Sequence, residues 1–163
     1  MSNQNSHVPP TLIADAAYLL EGEYTCHECS CIVPVFALML LGPFKAEGDV
    51  YIDEDDNTAL LRRPTALPEI LEKSLTSRSC GFFRDDFSHT AEQKYWMNHC
   101  RECGTKIGDW YVSEPDEAFF PTTDTDMLRL KGQRFAGPFK FDDPSLSLSS
   151  WTSLWLAKVK SQL

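Results

Sequence analysis

Apolar residues in this chain come in short runs, and the spacing within each run predicts the element it forms. Leu12, Ile13, Ala16, Ala17, Leu19 and Leu20 recur at roughly helical intervals, so residues 11–20 are expected to form a two-turn amphipathic helix ending near Gly22. Tyr24 and Thr25 read as a strand entering a cysteine pair. The run from Ile32 to Leu41, rich in Val33, Val35, Phe36, Leu38 and Leu40, reads as the strand leaving it. Pro34 lies inside that run and cannot donate to a ladder, which places the start of the strand at an edge or bulge. Turns are expected at Gly42-Pro43 and Glu47-Gly48, and a short strand at Val50-Tyr51-Ile52.

Pro68 is placed to open a helix whose apolar stripe is Leu67, Ile70, Leu71 and Leu75. Phe82, Phe83 and Phe87 supply an aromatic cluster expected to face the core. Residues 94–98 predict a strand running into a second cysteine pair, and Trp110-Tyr111-Val112 the strand returning from it. Ala118-Phe119-Phe120-Pro121 is expected to be a buried corner. Residues 128–135 read as a hairpin turning at Lys131-Gly132, and Asp142-Asp143-Pro144-Ser145 as the opening of a C-terminal helix with Leu148, Trp151, Trp155 and Val159 on one stripe.

The two cysteine pairs change this list of elements into an architecture. Cys26-His27-Glu28-Cys29 and Cys100-Arg101-Glu102-Cys103 each present two thiols across a tight turn, and the 70 residues at 30–99 separate them. Two such knuckles complete a tetrahedral four-sulfur shell for one structural zinc ion, with Cys26, Cys29, Cys100 and Cys103 as the ligands. A metal held this way joins remote segments and contributes on the order of 10 kcal/mol to folding. Gly104 directly follows the second knuckle, where a positive φ lets backbone amides turn toward the sulfurs. Of the six cysteines, the two outside the pairs are expected to be a knuckle-adjacent thiol, Cys31, and a small core residue, Cys80.

Charge and motif content narrow the function. With 15 basic and 24 acidic residues the net charge is −9, which argues against broad attraction to nucleic acid or anionic membrane. Residues 1–10 are polar and expected to be disordered, and residues 11–163 to form one domain with residues 42–94 as an insert between the knuckles. With no export signal or long apolar run, a cytoplasmic location is expected. The cluster Asp53-Glu54-Asp55-Asp56 lacks the order of ligands in a calcium loop and reads as solvated. A catalytic metal needs an exchangeable position and a base nearby, and four thiolates leave no such position. No phosphate-binding glycine loop, nucleophile elbow or metalloprotease helix motif is present. Cys-x2-Cys also serves thiol redox chemistry at the start of a helix, and no helix is expected after either pair. Glu28 and Glu102 occupy matching positions in the knuckles, adding negative charge where a phosphate binder would need the opposite.

The string Tyr95-Trp96-Met97-Asn98-His99-Cys100-Arg101-Glu102-Cys103-Gly104, continuing through Gly108-Asp109-Trp110 to Phe119-Phe120-Pro121, resembles a scattered group of bacterial proteins with two widely separated zinc-ribbon knuckles. Tyr24-x-Cys26-x2-Cys29 and the strand after it are similar to that group's first knuckle. The resemblance covers residues 24–40 and 95–121. It implies the same four cysteine ligands and no catalytic residue.

Together these features predict an α+β protein: a small antiparallel sheet built on a split zinc ribbon, with two or three packed helices. The expected function is that of a non-enzymatic protein-interaction module, an inhibitor or immunity-type protein for a basic partner. The alternative is a nucleic-acid-associated zinc ribbon acting through Arg129, Lys131, Arg134 and Lys140.

Overall fold

The computed structural model describes residues 9–161, so the expectation of disorder at the N-terminus lies outside the described residues except at Pro9 and Pro10. In chain order the first elements are β1 (Thr11–Thr25), β2 (Ile32–Leu41), β3 (Lys45–Glu47), β4 (Thr58–Arg62), α1 (Glu69–Arg78), β5 (Phe83–Ser88) and β6 (Gln93–His99). There follow β7 (Lys106–Ile107), α2 (Asp109–Val112), α3 (Asp124–Arg129), β8 (Lys131–Asp142), β9 (Ser145–Ser147) and α4 (Ser150–Ser161). The architecture is α+β with antiparallel strand pairing, as expected, and its helices are α1, α4 and the shorter α2 and α3.

A six-stranded sheet forms around β1, which pairs β2 and β3 along one edge and β8 along the other. β4 pairs β2, and β9 pairs β4. β8 and β9 therefore lie at opposite ends of the strand order, yet only Asp143 and Pro144 separate them in the chain. Such a short connection requires the sheet to curl until its two ends meet at this corner. There the Asp143 N–H donates to the Pro10 carbonyl at 2.7 Å.

β1 is the strand expected to be a helix. Residues 16–20 are buried without a break, because one apolar cluster covers Ala16, Tyr18 and Leu20 and a second covers Ala17 and Leu19. A strand buried on both faces loses the alternation that identifies strands. Leu12 and Ala14 share a cluster with Ala17 and Leu19, so core membership shifts by one at Asp15, where Gly137 and Pro138 of β8 oppose a single residue of β1. Doubled burial and this bulge together imitate a period near 3.6.

Other elements depart from expectation for local reasons. Residues 50–52 are irregular, not a strand. The strand returning from the second knuckle is β7, and Trp110-Tyr111-Val112 belongs to the one-turn helix α2, started where the Asp109 N–H donates to the Tyr95 hydroxyl at 3.1 Å. No hairpin turns at Lys131-Gly132. Instead α3, capped by Thr123 accepting from the Asp126 N–H at 3.1 Å, leads into β8. Gly132 is required by packing, since a Cβ there would lie 2.4 Å from the Trp155 ring. Residues 145–147 form β9, so the last helix starts later than expected, at Ser150. Trp151 and Trp155 are buried on it as predicted.

The first core is closed by α4, with Trp155 set edge-on to Tyr18 at 5.2 Å, and by Met127, Phe119 and Val112. The second is closed by α1, through Leu71 and Leu75, and by Phe83, Phe139 and Phe141. Phe87 is exposed, so of the predicted aromatic cluster only Phe83 is fully in the core. Phe119 and Pro121 are buried, as expected for that corner.

A three-stranded sheet, β5-β6-β7, docks against the edge of β2 that β4 leaves open. Its anchor is Asn98 on β6. The Phe36 N–H donates to Asn98 Oδ1 at 2.8 Å and Asn98 Nδ2 donates to the Phe36 carbonyl at 3.0 Å, so the carboxamide replaces a strand neighbour for that residue. Pro34 lies on the same open edge, the position predicted for it. Asn98→Ala would leave a buried donor and acceptor unpaired and is expected to destabilise the protein by about 1–3 kcal/mol. Urea unfolding at neutral pH checks this, and an unchanged midpoint would contradict the anchor.

Candidate metal centre

Each knuckle is the turn of an antiparallel hairpin, and the two turns are the same. Thr25 pairs Ile32 across the first, and His99 pairs Lys106 across the second. In the first the Cys26 N–H donates to the Cys31 carbonyl at 2.8 Å and the Ser30 N–H to the Cys26 carbonyl at 2.9 Å. In the second the Cys100 N–H donates to the Thr105 carbonyl at 2.9 Å and the Gly104 N–H to the Cys100 carbonyl at 2.8 Å. Ser30 and Gly104 hold the corresponding position with φ of 62° and 75°. A serine therefore adopts the left-handed conformation for which the second knuckle uses glycine, at a cost of about 1–2 kcal/mol.

The hairpins meet tip to tip. Cys26 Sγ lies 3.7 Å from Cys103 Sγ and Cys29 Sγ lies 3.6 Å from Cys100 Sγ, and all four sulfurs fall within 4.8 Å of one another. A tetrahedral ion with metal–sulfur bonds of about 2.3 Å separates its sulfurs by about 3.8 Å. Disulfides would bring paired sulfurs to about 2.0 Å, and all six cysteines are free thiols. The four residues thus fit one thiophilic divalent ion with no fifth donor needed.

Electrostatics point the same way. Burial raises the Cys100 thiol, but backbone N–H groups of Cys103 and Glu102 and the neighbouring thiols Cys26 and Cys29 bring it down to about 7. At Cys103 the backbone N–H of Thr105 favours the thiolate, yet burial and the adjoining thiols push the group up to about 12. One thiolate formed in this cluster makes the next harder to form, and a cation among the sulfurs removes that conflict.

The first cysteine of each pair, Cys26 and Cys100, is buried in the first core, whereas Cys29 is half-buried and Cys103 exposed. The cluster is thus welded to the sheet on one side and open to solvent on the other. Cys31 is exposed and outside the cluster. Cys80, expected in the core, is exposed: it follows α1 with φ 54°, in a helix-ending turn closed by the Gly81 N–H donating to the Thr76 carbonyl at 2.9 Å.

Neither neighbouring histidine belongs to the cluster of potential ligands. His27 Nδ1 is hydrogen-bonded with the Tyr24 hydroxyl at 3.0 Å, and its ring stacks on Tyr111 with centroids 4.1 Å apart. Burial, with Glu117, Cys26 and Tyr111 adding to it, pushes the Tyr24 phenol up to about 12, so it stays protonated. His99 is buried with Nε2 at 2.8 Å from Asp86 and Nδ1 facing the Met97 and Phe82 carbonyls. The bond to His99 is the main reason the Asp86 carboxyl sits at about 2, aided by the Phe87 N–H and Lys106 against a burial effect that raises it. Asp109, at the start of α2, pairs Arg62 of β4, and its carboxyl is pushed up by burial against the opposing pull of Arg62.

Other residues singled out in the sequence are dispersed. Asp53 and Asp56 close a turn on themselves, with the Asp53 N–H donating to Asp56 Oδ2 at 2.8 Å. Lys131 and Arg134 are three apart on β8 and point to opposite faces, Arg129 pairs Asp126 at 3.8 Å and Lys140 pairs Asp142 at 3.9 Å. The region that sequence reasoning missed is the ring cluster Tyr24, His27, Tyr111 and Trp110 beside the first knuckle. Its one signal was an aromatic pair following the second knuckle, masked by its likeness to a strand.

Ser30→Gly is expected to stabilise the metal-bound protein by about 1 kcal/mol, since relief of strain exceeds the added freedom of the unfolded chain. Thermal unfolding should register a rise of a few degrees, and a fall would show that the two turns are not equivalent. Cys100→Ala or Cys103→Ala should give insoluble or partly unfolded protein with reduced metal content. Retention of metal, solubility and melting temperature in both would contradict a shared centre.

No family model matches the chain, and neither the curated proteins nor the solved structures contain a match to it, so the donor set and its geometry alone carry the assignment of the centre.

Proposed function

We propose that Cys26, Cys29, Cys100 and Cys103 hold one structural zinc ion and that the protein is a non-enzymatic interaction module, of inhibitor or immunity type, for a basic protein partner. The observation that carries this is what the clustered knuckles present to solvent. Four sulfurs satisfy a tetrahedral ion and leave no position for substrate, while the adjoining surface shows Trp110, 64 % exposed, and carboxylates. An exposed tryptophan at the edge of a rigid element is the kind of anchor that protein interfaces use.

Zinc is the ion that four thiolates in tetrahedral order favour among common divalent metals, and it brings no redox chemistry. Its contribution is folding energy, joining the β1–β2 hairpin to the β6–β7 hairpin. The net charge of −9 gives the surface a field that steers basic partners toward it and repels acidic ones. The nucleic-acid alternative lacks comparable support, since its four basic residues are split between faces or paired with carboxylates. No helix among the described residues is long and apolar enough to cross a membrane.

Purified protein should contain one zinc per chain by elemental analysis, and the cobalt-substituted form should show the intense charge-transfer and ligand-field bands of a four-thiolate tetrahedral site, insensitive to added azide. A band shift with azide would reveal an exchangeable position and sink the structural assignment. For the partner, affinity capture from source cells should return a basic protein that forms a purified stoichiometric complex at physiological salt. Failure to reconstitute any complex would remove the interaction reading.

A further inference from the structure

Beside the first knuckle the paired edge of β1 stops. β8 pairs β1 only as far as Glu21, and α3 with the residues before it turns away, so on that side residues 22–25 have no strand neighbour. A cleft of about 280 Å³ opens there. Its walls combine Glu23, Asp116 and Glu117 with the apolar surfaces of Ile32, Pro121 and Leu130. Arg129 also lines it, but is engaged with Asp126 of the same wall.

Neither Glu23 nor Glu117 has a cationic partner among the described residues, and Asp116 accepts only from the Thr122 hydroxyl. Partial burial raises the Glu117 carboxyl above its ordinary range, and Glu114 and Asp116 push it further in the same direction. At Glu117 this is a cost the fold bears, and an incoming cation would reduce it. Ile32 is an apolar side chain left 69 % exposed at the mouth.

Resting on the interaction reading above, we infer that this cleft receives a lysine or arginine side chain from an extended segment of the basic partner. The aliphatic stem would lie on Ile32, Pro121 and Leu130 while the cationic head meets Glu117, Asp116 and Glu23. The same segment can take hydrogen bonds from the unpaired edge of β1, continuing the sheet where β8 leaves it. Charge complementarity selects this occupant: an acidic or purely apolar segment would leave the three carboxylates desolvated without a partner.

The test uses the full-length, metal-loaded chain and a fluorescein-labelled peptide of alternating lysine and valine, with a glutamate-for-lysine peptide as control. The lysine peptide should bind and the control should not. Glu23→Gln/Glu117→Gln should weaken binding about tenfold or more, because a paired charge is lost at the contact. Asp53→Asn/Asp55→Asn, which removes the same charge from the exposed loop, should change it by no more than about twofold, because that loop acts only through the screened field.

Equal weakening by both double variants would overturn the cleft in favour of net-charge attraction, and so would absence of binding by the lysine peptide. Folding of the cleft variant is checked by its melting temperature. A raised carboxyl costs the fold stability as pH rises through its titration, so Glu117→Gln at neutral pH should melt at or above the wild-type temperature. A captured basic partner that binds Glu23→Gln/Glu117→Gln as tightly as wild type overturns the cleft and leaves the interaction reading intact. Capture of no basic partner removes both.

Discussion

Four thiols confined within 4.8 Å of one another set the terms for this structure. Left alone they cannot all ionise, and a cluster of neutral thiols offers little attraction to hold two hairpin tips together. A divalent ion bound among them would relieve that conflict and tie the two tips together. The cysteine cluster joins the β1–β2 hairpin of the large sheet to the β6–β7 hairpin of the small one. Asn98, which fills the open edge of β2, is a second contact between the same two units, only two residues before Cys100. The orientation of the small sheet is thus set by two points close together in sequence, and α2 is placed as its extension.

The surface around the centre follows from that placement. His27 is a knuckle residue, and its stacking on Tyr111 connects the first hairpin to the helix that follows the second. Trp110 stands at the outer end of the same ring series. The half-buried Arg62–Asp109 pair fastens the start of α2 to β4. A rigid aromatic corner thus comes to lie beside a cleft of unpaired carboxylates.

The parts legible in the sequence were those governed by local geometry. Chelation demands two thiols across a turn, so the four clustered cysteines could be named from spacing alone. Proline and turn residues placed α1 and β2 for the same reason. What could not be read were elements whose character depends on distant neighbours. β1 has no strand-like alternation because both of its faces are covered, one by α4 and the other by α1 and β5, and nothing within residues 11–25 records that. Gly132 looked like the tip of a turn, yet it is a glycine because the ring of Trp155 occupies the space of its side chain. Cys80 looked like core filling and is a helix-ending residue with an exposed thiol. At the metal centre the ligands were legible but the cleft was not, since its walls come from β1, the segment before α3, and α3 itself.

The curl of the large sheet has a consequence for how the protein is made. β1 is synthesised well before β8, the strand that covers its outer edge. Until residue 142 has left the ribosome, an apolar strand buried on both faces in the finished molecule stays partly uncovered, with one row of its backbone groups unpaired. The large sheet is in this sense completed late, whereas the two hairpins could already meet around an ion once Ile107 has emerged. The metal would then act first on the nascent chain, as a clasp holding β1 and β2 in register while the remainder is still being made.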